Sequence, residues 1–352
     1  MKHLVLLGGG PAHVQVLREF AALALPATRV TLVAPTPRLL HPLMLPGLVA
    51  GRFQSDDCAI ALPSLAAAAG ATFVEAAITG VDAAARTVAL GTGETLQYDA
   101  LSLDAEPAID RDAIPGARAH ALFLRPIESF VRLWPELLAL AEARSLSVVV
   151  VGAGEAAVEL ALALQDRLRE RARVSLVTGG VPLALTPAAV EQRLLRALKQ
   201  RRITLFVDRC VEVGASHVLL GSGARLTCDA PVVATAPQAP AWLHASGLAL
   251  DEPGGVAVGP TLQSLSHPQV FAVGDSGRAL ALNLRRFTGG GELQPDRSPK
   301  RTLKLLSCGE REAIAAWGEW SFEGRWVRWW KDSADRAFVA GARSLNRVAG
   351  TR

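Results

Sequence analysis

Apolar residues gather in short unbroken runs, each ending in a glycine-rich turn and followed by a stretch with helical spacing. Lys2 to Leu7 (KHLVLL) and Ser147 to Val151 (SVVVV) read as strands buried on both faces, as in a parallel sheet. Gly8-Gly9-Gly10-Pro11-Ala12-His13 follows the first run and Gly152-Ala153-Gly154-Glu155-Ala156-Ala157 the second. Beyond the turns, Val14, Leu17, Phe20 and Ala21 in one copy, and Val158, Leu160, Leu162 and Leu164 in the other, supply apolar helix positions. A further apolar run follows each helix, Arg29 to Val33 and Arg173 to Val177. Each copy therefore predicts a β-α-β unit of about 30 residues.

In such a unit the first glycine makes the tight turn after the strand and the second lets backbone N–H groups approach a pyrophosphate. The helix N-terminus then faces that negative charge. Two copies predict two dinucleotide sites. The third glycine of the usual pattern is His13 in one copy and Ala157 in the other, so the strand before and the helix after each turn carry the reading. The alternative is a pair of glycine turns that serve packing alone. Val270 to Asp275 (VFAVGD) points the same way, a buried strand ending in Gly274-Asp275.

Between these landmarks, Pro35 to Gly51 has four prolines among apolar residues and predicts a loop with short helix, placed where loops line a ligand crevice. Thr72 to Glu75, Ile78 to Val81 and Thr87 to Leu90 predict an inserted meander, and Tyr98 to Leu103 returns as a strand. Helices are expected over 127–143 and 188–201, and Pro231 to Thr235 leads back. If Gly274-Asp275 completes the first unit, the second interrupts it. The expected architecture is α/β, two Rossmann-like dinucleotide-binding domains, the second inserted in the first, with a small C-terminal α+β segment. The divisions are 1–118 and 233–290 for the first domain, 119–232 for the second and 291–352 for the tail.

A length of 352 residues, half of them apolar, suits two domains with a substantial core. Cys58, Cys210, Cys228 and Cys308 form no C-x-x-C or C-x-x-x-x-C pair, which argues against a redox disulfide or a zinc knuckle and for thiols in a reducing compartment. Leu4 to Leu7 runs into the glycine turn instead of a cleavage site, and no run of about 18 apolar residues is free of charges or breakers. A cytoplasmic protein is expected. Charge sharpens the picture at one end. From Arg278 to Arg352 there are fifteen Lys or Arg against eight Asp or Glu, and five of the seven tryptophans, Trp317, Trp320, Trp326, Trp329 and Trp330, fall in this tail. Trp326, Trp329, Trp330, Ala334 and Phe338 recur near helical spacing with Arg325, Arg328, Lys331, Asp332 and Asp335 among them. Such rings and cations suit a membrane interface or an anionic partner, or else the rings cap an apolar face of the same molecule. No nucleic-acid motif accompanies the charge, so no nucleic-acid partner is expected.

The order of glycine turn, Tyr98-Asp99-x-Leu101-x-Leu103 strand, Ile114-Pro115-Gly116 crossover, second glycine turn, Ala234-Thr235-x-Pro237 return and Phe271 to Asp275 resembles the pyridine-nucleotide-dependent flavoprotein oxidoreductases with two dinucleotide-binding domains. The Met44 to Gly51 loop, Tyr98 to Asp104, and Phe322 to Trp326 with Lys331-Asp332 are similar to type II NADH dehydrogenase-like proteins fused to, or coded near, selenide water dikinase.

The resemblance implies FAD and NAD(P)H as cofactors. The turn Gly8, Gly9, Gly10, Pro11, Ala12 and His13 would hold the FAD pyrophosphate, with Gly274-Asp275 on the ribityl or pyrophosphate portion and Leu45 and Pro46 against the flavin. Gly152, Gly154 and Glu155 would hold NAD(P)H, and Glu159, the Glu of G-x-G-x-x-x-x-E, would sit near the nicotinamide as the catalytic candidate. Hydride transfer between two cofactors needs placement more than an acid or base, which agrees with the lack of a triad. Three departures stand out. No carboxylate ends either second strand, Glu106 replaces a glycine, and the segment between Asp275 and Ala279 is short. The expected function is an oxidoreductase passing electrons from NAD(P)H through FAD to a quinone or other small acceptor, with possible peripheral membrane contact. The alternative is a degenerate nucleotide-binding module acting with a partner in selenium metabolism.

Overall fold

A computed structural model describes residues 1–104, 109–181, 183, 188–272, 276–297 and 303–349, with 346–349 by backbone only. Two five-stranded parallel sheets form its centre. In the first, Lys2–Leu7 lies between Thr28–Ala34 and Ala100–Leu103, with Thr72–Glu75 and Val270–Ala272 at the edges. In the second, Leu146–Val151 lies between Ala172–Val177 and Ala230–Val233, with Thr204–Phe206 and Leu122–Phe123 at the edges. The two central strands are buried almost throughout, which is why they read as continuous apolar runs rather than alternations. The return of Val270–Ala272 to the first sheet confirms that the second unit is inserted within the first.

One expectation is corrected. Thr72–Glu75 is not part of the meander but extends the parallel sheet beside Thr28–Ala34. The short helix Leu62–Ala68 precedes it and supplies the crossover that a parallel strand requires. The meander itself is Ile78–Asp82, Thr87–Leu90 and Thr95–Gln97.

A second meander, Cys210–Val213, His217–Leu220 and Arg225–Thr227, precedes the matching strand of the second sheet. The two halves repeat in detail. Asp99 follows the first meander and its Oδ2 accepts the His3 N–H at 2.7 Å; Asp229 follows the second and its Oδ2 accepts the Ser147 N–H at 2.7 Å. Each aspartate thus clamps the start of its central strand.

The C-terminal segment is a three-stranded antiparallel sheet, Lys304–Cys308, Glu312–Trp317 and Trp320–Gly324, followed by the helix Arg325–Ala349. That helix buries Val327, Lys331, Asp332, Asp335, Val339 and Ala342 against the rest of the molecule. Trp317, Trp320, Trp326, Trp329 and Trp330 stay exposed, Trp329 at 70% and Trp320 at 68%, so they do not cap an apolar face of this chain. Of the aromatic stripe only Phe338 turns inward, stacking on His41 at 4.6 Å between ring centroids.

Candidate functional site

Both glycine turns take the shape their sequences demand. Gly8 has φ of +97° and its N–H reaches the Val33 carbonyl at 2.8 Å; Gly152 has φ of +156° and reaches Val177 at 2.8 Å. Both conformations favour a residue without Cβ. Gly10 and Gly154 then stand at the N-caps of Pro11–Ala22 and Glu155–Leu168, neither of which has a side-chain cap from its own N-cap residue. Pro11 occupies the first helical turn, where its missing N–H costs nothing.

The surroundings of the two turns differ. A Cβ on Gly154 would meet nothing within 4 Å, leaving open the space where N–H groups and the helix dipole attract an anion. A Cβ on Gly10 would lie 2.5 Å from the carboxylate of Asp104, whose Oδ2 accepts the His13 N–H at 2.9 Å. His13 occupies the third-glycine position and is fully buried. Its Nδ1 lies 2.7 Å from the Gly8 carbonyl and its Nε2 2.8 Å from the Ser102 hydroxyl. Burial lowers its pKa, against the opposing pull of Asp104 and the Gly8 carbonyl, so the ring is neutral. A carbonyl only accepts; Nδ1 therefore carries the proton and Nε2 accepts from Ser102. His13 thus ties the turn to the neighbouring strand. Ala12 is buried under the helix Gly277–Gly289, where a Cβ on Gly277 would come within 2.8 Å of the Ala12 carbonyl. Gly9 completes the turn, while Gly274 and Asp275, as well as Glu106, lie outside the described residues.

Leu45 and Pro46 open the short helix Leu45–Val49, which packs against the second dinucleotide helix. Both are buried. Glu155, near the open turn, pairs with Lys304 at 2.8 Å. Glu159 is buried, and its Oε1 accepts the Ser307 N–H at 2.5 Å from the C-terminal sheet. Burial pushes its carboxyl up to about 7, with the Lys331 charge and the Ser307 N–H pulling down and Glu155 and Asp335 pushing up. It is therefore no solvated helix residue.

Glu159 belongs to a polar network that sequence reasoning missed. Lys331, 1% exposed, donates to the Leu43 carbonyl at 2.7 Å and to Asp335 Oδ2 at 2.8 Å, while Asp335 Oδ1 lies 3.7 Å from His41 Nε2. The expected exposure of Lys331 among lipid-facing cations is corrected here: it turns inward because Asp335, one turn on, and the Leu43 carbonyl in the 3-10 turn Pro42–Met44 satisfy its ammonium. Asp332 faces Arg52 at 3.4 Å and Arg328 at 3.6 Å. On the neighbouring side Asp166 accepts from Arg201 at 2.7 Å and from the Glu310 N–H at 2.6 Å. The only sequence signal was Lys331, Asp332 and Asp335 at helical spacing.

Two glycine turns on two parallel sheets, the second unit inserted in the chain of the first, have the form of dinucleotide-binding units. Residues 2–293 match the family model described as pyridine nucleotide-disulphide oxidoreductase, and the chain belongs to that family. It is an oxidoreductase of a family that uses a pyridine nucleotide. An NADH dehydrogenase-like protein of Mycobacterium tuberculosis is 28% identical over 298 residues, covering 78% of this chain and 72% of that one. The demethylphylloquinone reductase NdbB of a Synechocystis species is 30% identical over 190 residues, 52% of this chain and 47% of that one. Among solved structures, the sulfide:quinone oxidoreductase of Aquifex aeolicus shares the fold with a TM-score of 0.81 at 16% identity, covering 98% of this chain and 92% of that one. NDH2 of Plasmodium falciparum in complex with NADH does so with a TM-score of 0.77 at 12% identity, covering 99% and 97%. The second cradle fits a nucleotide pyrophosphate as it stands. The first has the turn and helix start that FAD requires, with Asp104 against them.

Proposed function

We propose that the chain oxidises NAD(P)H and delivers the electrons, by way of FAD, to a quinone or a comparable small acceptor. The observation that carries this reading is the state of the cysteines. All four are free, Cys58, Cys228 and Cys308 are buried, and burial pushes each of these three thiols up to about 12. A disulfide relay needs a reachable thiolate, and the one half-buried thiol, Cys210, which packs beside Cys228, is itself pushed up to about 11 by burial. The similarity to the Synechocystis demethylphylloquinone reductase supports a quinone-type acceptor. In this reading Gly152, Gly154 and the start of Glu155–Leu168 bind NAD(P)H, and Gly8, Gly10 and the start of Pro11–Ala22 bind FAD. Leu45 and Pro46 supply an apolar wall that excludes water. When bound, FAD supplies the two-electron acceptor and the protein supplies alignment. The division into 1–118, 119–232, 233–290 and 291–352 follows the same plan.

Anaerobic absorbance spectra of the flavin-loaded protein test this directly. NADH or NADPH should bleach the flavin bands and a short-chain quinone should restore them; a flavin that neither nucleotide reduces would sink the proposal. A second reading, a nucleotide-binding module with little turnover that acts with a partner in selenium metabolism, is favoured by Asp104 in the first cradle and predicts that last outcome.

The exposed rings extend the proposal to the membrane surface. Among the described residues no helix is long and apolar enough to cross a bilayer. Trp317, Trp320, Phe322, Trp326, Trp329 and Trp330 are nonetheless exposed together along the last hairpin and the helix that follows it, with Arg325 beside them. Amphipathic aromatic rings flanked by cations settle at the headgroup level of anionic bilayers. Flotation with anionic vesicles should recover the protein at low salt and lose it at high salt, whereas a protein left at the bottom at low salt has no such surface.

A further inference from the structure

The two cradles share one construction plan and diverge at a position the fold leaves open. In each, the residue after the strand beside the central one donates its N–H to the last carbonyl of the central strand. Asp104 does so to Leu7 at 2.9 Å and Ala234 to Val151 at 2.8 Å. Alanine serves the second unit here, so the turn does not need a carboxylate. In the first unit that carboxylate reaches the helix start, where it accepts the His13 N–H at 2.9 Å and lies 2.5 Å from where a Cβ of Gly10 would stand. The matching space beside Gly154 is open to 4 Å. Helix N-terminal N–H groups and the helix dipole stabilise one anion; a second anion in the same half-buried place is opposed by repulsion that solvent screens poorly.

We propose that Asp104 is a resident anion in the first cradle, which FAD must displace to seat its pyrophosphate, so that this one carboxylate sets the affinity for the cofactor. The second cradle, with Ala234 in the same place, takes its nucleotide unopposed. The proposal rests on the reading of FAD as ligand of the first cradle. It also gives Asp104 a role without cofactor, since a carboxylate on orphan N–H groups stabilises a helix start. The apoprotein therefore keeps its first helix capped, and loading exchanges an internal cap for an external one.

The test is a titration of flavin-free wild type, Asp104→Asn and Asp104→Ala with FAD, followed by flavin fluorescence, with NADH titrations of the same proteins alongside. Asparagine keeps the shape and an acceptor for the His13 N–H while removing the charge, so that variant should fold as the wild type does. Both variants should bind FAD at least about tenfold more tightly, with NADH affinity unchanged. Asp104→Ala should also melt below wild type without FAD and recover that difference with FAD saturating. If wild type binds FAD and both variants bind it equally or less well, Asp104 does not compete, and the proposal fails while the FAD assignment stands. If none of the three binds FAD while NADH still binds, both fall together.

Discussion

Gly154→Val is expected to melt with the wild type and to bind NAD(P)H on the order of 100-fold more weakly, a loss of about 2.7 kcal/mol. The expectation comes from the separation, at this residue, of what the fold needs from what the ligand needs. Gly154 has φ of −81° and ψ of 170°, extended backbone open to any residue, and a Cβ there would touch nothing within 4 Å. Valine therefore builds without strain. Its branched side chain fills the space before the helix N-terminus, where a pyrophosphate must come close to backbone N–H groups. Bound FAD should stay reducible by dithionite, because Gly10 and Gly154 belong to different sheets. Gly152→Ala makes the contrast: φ is +156°, its Cβ would collide with the Ala234 carbonyl, and the damage should appear in thermal stability. Unchanged NADH affinity in well-folded Gly154→Val would remove the second cradle from the mechanism.

Lys331→Met should lower the stability by about 3–5 kcal/mol, the usual consequence of taking one partner from a buried ion pair. Lys331 and Asp335 are both buried and 2.8 Å apart, and methionine restores the apolar stem but not the ammonium. Asp335 feels burial pushing its carboxyl up, and the neighbouring His41 together with the charge and hydrogen bond of Lys331 more than offsets this, leaving it below its ordinary value. The loss should also vary with pH. Glu159 has its pKa raised from 4.5 to about 7, so the folded state holds a proton that the unfolded chain has released. Its stabilising contribution is complete below 4.5 and is lost as pH rises through about 7, on the order of 3 kcal/mol across that window. Lys331 pulls this pKa down. Without it Glu159 resists ionisation further, and the deficit of Lys331→Met should be greater at pH 8 than at pH 5. Denaturant unfolding at the two values checks this, and a deficit independent of pH would detach Lys331 from Glu159.

The parallel sheets were legible because their central strands are buried on both faces and end in glycine. Such strands announce themselves as unbroken apolar runs, and Gly8 and Gly152 mark the turns. Edge strands carry less signal. Thr72–Glu75 is four residues long and partly exposed, and only the helix Leu62–Ala68 before it reveals that it runs parallel. The cradles were legible as glycines, but not their difference, because that depends on where the Asp104 side chain points. The buried network was hidden for another reason. Its members come from three distant stretches, His41 and Arg52, Glu159, and Lys331 with Asp332 and Asp335, and are mostly of types that spacing alone assigns to solvent. The tryptophan face shows the converse, since helical periodicity finds a stripe and says nothing about which side of it faces water.

The C-terminal segment, residues that lie past the end of the matched family region, grips both halves of the molecule at once. Lys331 holds the Leu43 carbonyl and Arg52 faces Asp332 on the first half, while Ser307 holds Glu159 and Cys308 receives Arg201 on the second. Mechanically this is a strut across the joint between two nucleotide-carrying arms. That strut adds to the direct packing of Leu45–Val49 on Glu155–Leu168, so part of what holds the two glycine turns at their distance lies in a segment that contains neither of them.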